Sequence, residues 1–421
     1  MKKKTLSIVA TTLFSMALVA CGGSGAWSWE DAKADGELNY VLLIGQIDHN
    51  DSAARTAGIR DALGTRAAVP TSNANSEDPV PGTLTLGTTT YDTIELEHAE
   101  QKSQGGATWD QATATSTAEA WINKHGDKID FFVSNNDGMA EGAIGASNWI
   151  EGTPIFGYDA NASTLDLIDE GKIMGTVDQN VPAQIGGLYM LARNAIDGAT
   201  PAEAVAEGFS EANANGYGKL TSEVAWNAEH KSMLVSNVAI TAENVDQHLG
   251  KTVAQKLEST ITEGTTAEVD VWLDIYSQSD TFLNTNVKPF MEAYAEIFNF
   301  NMTFTAGDGA DESSVTDLLD TELAKTAAER PAAYLINMVR TNAAEIYLNM
   351  IAEAYGATEA APTDVPVIFY NRQATTDAGA VDTEVMADAR FTHVYYFGFD
   401  AIQGGQLQGE MIVDYLESLE A

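Results

Sequence analysis

The chain has 421 residues, with 61 acidic against 22 basic side chains and a formal net charge of −39. A field of that sign repels nucleic acid and anionic membrane surfaces, which excludes polyanion binding. The length exceeds one ordinary hydrophobic core, so two domains are expected.

Residues 1–20 read as a secretory signal peptide: Lys2, Lys3 and Lys4 precede an apolar run from Thr5 to Ala20. The run falls short of the about 20 residues that span a bilayer, which disfavours a transmembrane anchor. Cys21 follows Leu18-Val19-Ala20 in the manner of a lipoprotein cleavage box and reads as a lipid attachment site, with 21–26 as the anchor linker. The plainer alternative is a secreted protein with an incidental cysteine. As Cys21 is the sole cysteine, no intrachain disulfide is available.

Beyond the leader, short apolar runs predict strands at 40–45, 129–134, 154–157, 173–177, 233–238, 269–275, 332–338, 365–370 and 393–399. Amphipathic stretches between them predict helices at 51–63, 110–124, 183–195, 282–298, 341–355 and 402–419. Strand and helix alternation of this kind argues for an α/β fold with doubly wound parallel sheets. Ligands bind beyond the carboxyl ends of such strands, where this chain places Asp48-His49-Asn50-Asp51, Asn135-Asn136-Asp137, Asp159, Asp280 and Asn371. Residues 67–90, rich in Pro, Ser, Thr and Asn, are expected to form a surface excursion. Residues 250–267 are polar and Thr-rich and read as a linker.

Several motifs carry a resemblance. In the first half they are Asp35-Gly36-Glu37-Leu38-Asn39-Tyr40, His49-Asn50-Asp51 with Arg55, Thr108-Trp109-Asp110, Asn135-Asn136-Asp137, Phe156-Gly157-Tyr158-Asp159 and Gly175-Thr176-Val177. In the second half they are Ile275-Tyr276, Asp280-Thr281-Phe282, Val367-Ile368-Phe369-Tyr370-Asn371 and Tyr395-Tyr396-Phe397-Gly398. The first set resembles the later part of the galactose/glucose-binding proteins, which are type I periplasmic sugar-binding proteins. The second set is similar to that family's earlier part. The pieces keep the family's cyclic order from a different starting point, so the resemblance implies a circular permutation.

A free hexose is a ring of hydroxyls between two apolar faces, so a tight site needs aromatic plates and polar rim groups. By the resemblance, Trp109 and Phe282 are the plates, one from each half; alone, each would more readily be read as a core aromatic. Asp280 would accept from a sugar hydroxyl, although an Asp before a helix also suits an N-cap. Asp51 and Arg55 are four apart on one helix face and would bind ligand beside His49, the bland alternative being a solvated ion pair. Asn136, Asp159 and Asn371 complete the rim, and Arg372 is read as structural.

Two positions depart from the family's pattern. Gln179 stands where the hexose-binding pattern has asparagine and resembles the related pentose-binding proteins. The family's calcium loop corresponds to Asp31, Asp35, Glu37 and Asn39 with Asp130 as the distant acid, but Lys33 puts an ammonium among the oxygens that a hard cation needs. The loop is therefore read as vestigial, with Lys33 standing in for the ion: no metal and no cofactor.

The resulting expectation is two doubly wound lobes joined by a three-segment hinge. Lobe one comprises 27–178 with 242–249 and 400–421; lobe two comprises 181–238 and 268–398; 250–267 joins the family's ordinary ends. The resemblance implies a monomeric, lipid-anchored receptor on the periplasmic or extracytoplasmic face that delivers D-glucose or D-galactose to an ABC transporter permease. Alternatives are a pentose ligand or presentation to a chemoreceptor. A glycosidase using Asp51 and Asp280 is disfavoured by the neighbouring arginine and amides, and a DNA-binding repressor by the absence of a basic headpiece.

Overall fold

The computed structural model describes residues 26–67, 73–280 and 282–421, so Cys21 and the leader lie outside the described residues. In chain order the strands are β1 (Glu37–Ile44), β2 (Gly82–Leu86), β3 (Thr89–Glu100), β4 (Phe131–Ser134), β5 (Ile155–Phe156), β6 (Gly175–Asp178), β7 (Val224–Asn227), β8 (Ser232–Val235), β9 (Val238–Thr241), β10 (Val269–Ile275), β11 (Phe300–Ala306), β12 (Tyr334–Ile336), β13 (Val367–Tyr370) and β14 (Val394–Phe399). They form two sheets, ordered β2-β3-β1-β4-β5-β6-β9 and β11-β10-β12-β13-β14-β8-β7. All neighbours are parallel except β2/β3, β6/β9 and β7/β8 at the margins.

Strands covered on both faces are apolar without alternation. In β1 every residue from Leu38 to Ile44 is buried, and Val367–Tyr370 and Val394–Phe399 are buried throughout. Helices close both faces of each sheet. Helix Ala401–Glu420 lies along helix Asn50–Ala62, where Gly58, Gly405 and Gly409 let the backbones touch: a Cβ on Gly405 would stand 2.2 Å from the Ala54 carbonyl oxygen. Helix Val181–Ile196 is buried along nearly its whole length against β14, where Gly187 accommodates the Phe397 ring. Among the described residues no helix is long and apolar enough to cross a membrane.

The chain passes between the sheets after β6, between β8 and β9, between β9 and β10, and after β14. Residues 26–178, 238–241 and 401–421 build around the first sheet, and 181–235 and 269–399 around the second. The 250–267 segment is docked rather than loose. Thr221 N donates to Glu258 at 2.9 Å, Glu258 N donates to the Tyr294 hydroxyl at 2.9 Å, and Ile261 is buried beside Gly218.

Some elements differ from the sequence reading. The expected excursion at 67–90 contains β2, which pairs with β3 as an antiparallel hairpin. In β3 the buried alternation runs through Tyr91, Thr93 and Glu95, so a charge occupies an interior position. Glu95 is admitted there because Arg60 Nη2 reaches it at 2.5 Å and the Tyr40 hydroxyl donates to it at 2.7 Å. Arg60 also donates to the Ala74 and Glu77 carbonyls at 2.6 and 3.0 Å, tying down the segment before β2. Strands β7, β9 and β11 are edge strands: β7 and β9 are only four residues long and β11 is interrupted by polar residues, so the apolar-run criterion passes over them. Helices Asp137–Ile144, Ala162–Asp169 and Ser313–Leu323 were likewise unread.

Candidate functional site

The carboxyl ends of β1, β4, β5 and β6 face those of β10, β12 and β13 across a cleft, as expected of doubly wound sheets. Two adjoining chambers of 150 and 40 Å³ lie in it. Trp109, Asn136, Asp280 and Phe282 line both; His49, Asp51, Arg55, Asp159, Gln179 and Asn371 line the smaller. The structure thus brings all ten sequence-predicted residues to one place. Tyr276, Leu283 and Arg372 also line the smaller, inner chamber, and Arg372, expected to be structural, is buried there and donates to the Val339 carbonyl.

In the first lobe, helix Asn50–Ala62 carries most of the wall. His49 caps it, its Nδ1 accepting from Asp51 N at 3.1 Å, so the ring proton belongs on Nε2. Burial, reinforced by Arg372 and Arg55, holds the imidazole well below its usual range and keeps it neutral. Burial also pushes the Asp51 carboxyl up to about 7 against the opposing pull of Arg55 and Arg372. Arg55 Nη1 donates to the Asn135 carbonyl at 2.6 Å and lies 3.6 Å from Asp159 Oδ1. Asp159 is likewise pushed up to about 7 by burial, while Arg55 and the Gln179 amide, 2.5 Å away, lower it.

Trp109 sits just before Asp110, which caps helix Gln111–His125 by accepting from Thr113 N at 2.7 Å. Its ring passes over Gly45, where a Cβ would stand 2.1 Å from the indole, and meets the edge of His49 with centroids 5.6 Å apart. The Trp109 φ of 60° is unusual for a bulky residue, and Asp159 (120°), Ala160 (54°), Asn180 (56°) and Asn371 (60°) also have positive φ around the cleft and hinge. Strain of this kind concentrates where a backbone is held for function.

In the second lobe, Asp280 serves as both cap and wall. Its Oδ1 accepts from Leu283 N at 2.8 Å and its Oδ2 from the Tyr276 hydroxyl at 2.5 Å. The Arg372 guanidinium stacks 3.6 Å from the centre of the Tyr276 ring. Phe282 is half-buried, and Asn371 Nδ2 reaches Asn337 Oδ1 at 3.5 Å. The lobes touch directly where Asn286 Nδ2 donates to Asn161 Oδ1 at 2.7 Å. Asn136 uses its Oδ1 to cap Met139 N at 2.9 Å, while its neighbour Asn135 is wholly interior, accepting from Ser52 at 2.7 Å.

Among the described residues, three buried side-chain atoms of the smaller chamber's lining have no hydrogen-bond partner: Arg55 Nε, Arg372 Nε and Gln179 Oε1. Buried polar atoms are rarely left so. Two donors and one acceptor on residues that line a small cleft between two aromatic rings suit a neutral polyhydroxylated ring, each of whose hydroxyls both donates and accepts.

The loop expected to be vestigial differs in detail. Lys33 Nζ pairs with Glu30 at 3.1 Å and Glu420 at 3.2 Å, so it is not directed into the place of an ion. Asp130 accepts from Asn39 N at 2.6 Å and is pushed up to about 7, by burial first and then by Asp35 and Glu37. Among the described residues no group of three or more His, Cys, Asp or Glu side chains is placed to hold a metal.

A family model for the periplasmic binding protein domain matches residues 15–200, and a second model of the same description matches 268–344. Two stretches of the chain thus match the periplasmic binding protein domain, and the two α/β lobes have the fold of the type I periplasmic binding proteins. The chain is 28% identical over 175 residues to the D-galactose/methyl-galactoside binding periplasmic protein MglB of Haemophilus influenzae. That match covers 41% of this chain and 44% of the relative, less than half the length of either. Among solved structures, it is 10% identical to a carbohydrate transporter solute binding protein from Agrobacterium radiobacter in complex with D-arabinose, with a TM-score of 0.46, covering 91% of this chain and 89% of that one. A carbohydrate transporter from Acidothermus cellulolyticus in complex with myo-inositol is 11% identical, with a TM-score of 0.40, covering 80% of this chain and 75% of that one.

Proposed function

We propose that this protein captures a single monosaccharide, D-glucose or D-galactose, between its lobes by hinge closure and delivers it to an ABC sugar transporter. The observation that carries the reading is the set of unpartnered buried atoms, Arg55 Nε, Arg372 Nε and Gln179 Oε1, in a cleft flanked by Trp109 and Phe282. Sugar hydroxyls complete those hydrogen bonds, and the rings cover the apolar faces of the pyranose. Chambers of 150 and 40 Å³ are small beside the about 300–1,000 Å³ of pockets for larger ligands, which supports one ring rather than a chain of them. The name of the Haemophilus relative points to the same class of ligand.

The cleft would hold its ligand intact: Asp51 and Asp280 stand among an arginine pair and amides that suit neutral hydroxyls, not an acid and base flanking a scissile bond. The protein would act as a monomer held at the extracytoplasmic face by a lipid on Cys21, with presentation to a chemoreceptor as the alternative to transport. The topology would be circularly permuted, a reading supported by the packing of the chain's final helix beside helix Asn50–Ala62. A pentose is the second reading, favoured by Gln179, whose amide fills a corner of the inner chamber against Asp159.

Calorimetric titration with D-glucose, D-galactose, D-ribose and D-xylose tests the assignment, beside Asp280→Ala and Trp109→Ala. Hexose binding lost in both variants is expected. Pentose-only binding would transfer the assignment to the second reading, and no binding by the unaltered chain would end both.

A further inference from the structure

Behind the inner chamber, Tyr158 is fully buried and lines neither chamber. The Arg55 guanidinium lies 3.6 Å from the centre of its ring. Its hydroxyl donates to Asn237 Oδ1 at 3.0 Å. Asn237 stands in the crossing between β8 and β9, and it is bonded in turn to the crossing after β14. Asn237 Nδ2 donates to the Asp400 carbonyl at 2.7 Å and to Gln403 Oε1 at 2.8 Å, Asn237 N donates to the same Gln403 oxygen at 2.8 Å, and Gln403 Nε2 returns to the Asn237 carbonyl at 3.3 Å. The crossing after β6 joins through Gln179, whose amide holds Asp159, the residue after Tyr158.

Space has been left for this hydroxyl. A Cβ on Gly404, in the helix that leaves the crossing after β14, would stand 2.0 Å from the Tyr158 hydroxyl and 3.0 Å from Asn237 Nδ2. A buried phenol deprived of its acceptor is costly, so the lobe angle that preserves the Tyr158–Asn237 bond is favoured over angles that break it. A ligand that fixes Arg55 fixes the ring beneath it and therefore the same bond.

We infer that Tyr158 is a positioning residue that couples Arg55, in the ligand chamber, to two crossings of the hinge and so sets the angle at which the lobes hold their ligand. The ligand readout of this inference rests on the monosaccharide reading; its ligand-free readout does not. The test uses the full chain with Cys21→Ser, spin-labelled at Asp127→Cys in the first lobe and Glu359→Cys in the second, both exposed positions. Tyr158→Phe is expected to broaden the inter-lobe distance distribution without ligand. It is also expected to speed D-galactose or D-glucose dissociation about tenfold, the loss of one ordinary hydrogen bond. Asn237→Ala breaks the same bond, so the double variant should release sugar no faster than the faster single variant. Gly404→Ala, which displaces the hydroxyl while leaving the phenol in place, should reproduce the broadening if Tyr158→Phe does not fold.

An unchanged distance distribution in Tyr158→Phe would overturn the inference, as would multiplicative effects of the two substitutions on dissociation. An unaltered chain that binds neither sugar would remove the hexose reading, and the ligand-free distances would still decide the hinge.

Discussion

The two walls of the cleft are built on a shared plan and differ in how deeply it is set. Each stacks an arginine 3.6 Å from a tyrosine ring beside an aspartate: Arg55, Tyr158 and Asp159 in one lobe, Arg372, Tyr276 and Asp280 in the other. In the first lobe the set is sealed in the interior. Burial pushes Asp51 and Asp159 up to about 7 and holds His49 neutral, while Trp109, itself half-buried, passes over Gly45. In the second lobe Arg372 and Tyr276 are buried as deeply, but the aspartate is not: Asp280 is half-buried like Phe282, on a turn that begins a short helix. A wall fixed by its own packing can serve as the landing surface, while a shallower wall adds its contacts on closure. Closure is favoured only by the contacts that second wall supplies.

The comparison breaks most directly at the arginines. Arg55→Ala removes a ligand donor and leaves Asp159 buried without its cation, so a loss of sugar affinity of about 1,000-fold or more is expected, against about 100-fold for Arg372→Ala. Equal losses by calorimetry would show the two walls to be equivalent. The aromatic plates should follow the same order at smaller amplitude, with Trp109→Leu costing about 100-fold and Phe282→Leu about tenfold. A larger effect at Phe282 would reverse the assignment of landing wall and closing wall.

A third prediction concerns stability. The folded chain keeps the Asp51 proton to about pH 7, whereas an unfolded aspartate releases it near 3.9. The folded state therefore binds more protons in that window, and the contribution of Asp51 to stability falls as pH rises through it. Asp51→Asn has no such charge to bury, so without sugar it should be more stable than the parent by about 1–3 kcal/mol at pH 8 and equal to it at pH 4. Chemical denaturation at the two pH values checks this, and the same substitution should weaken sugar binding. The smallest effect is expected at Gln179→Asn, a several-fold shift in the ratio of hexose to pentose affinity; an unchanged ratio would place ring-size selection elsewhere in the cleft.

Much of the site was legible because parallel α/β sheets announce themselves in continuous apolar runs and put their polar residues at the strand ends. His49, Asp159, Asp280 and Asn371 each follow such a run. That Arg372 also lines the cleft is not legible, because adjacency to Asn371 says nothing of its side chain, which turns back over Tyr276. The positive φ of Trp109 leaves no mark in the sequence, since the residue that accommodates it is the distant Gly45. Strand β3 was hidden by Glu95, a charge made tolerable inside only by Arg60, thirty-five positions earlier. Lys33 was read as filling an ion's place, but its partner Glu420 comes from the far end of the chain.

The central claim is that one sugar ring is held between two unlike walls, and a crystal structure of the chain grown with D-galactose or D-glucose tests it most directly. The expected result is a single pyranose between Trp109 and Phe282, with Arg55 Nε and Arg372 Nε donating to its hydroxyls. Sugar found only outside this cleft, for example in the 350 Å³ cavity beside His248 and Lys256, would contradict the account.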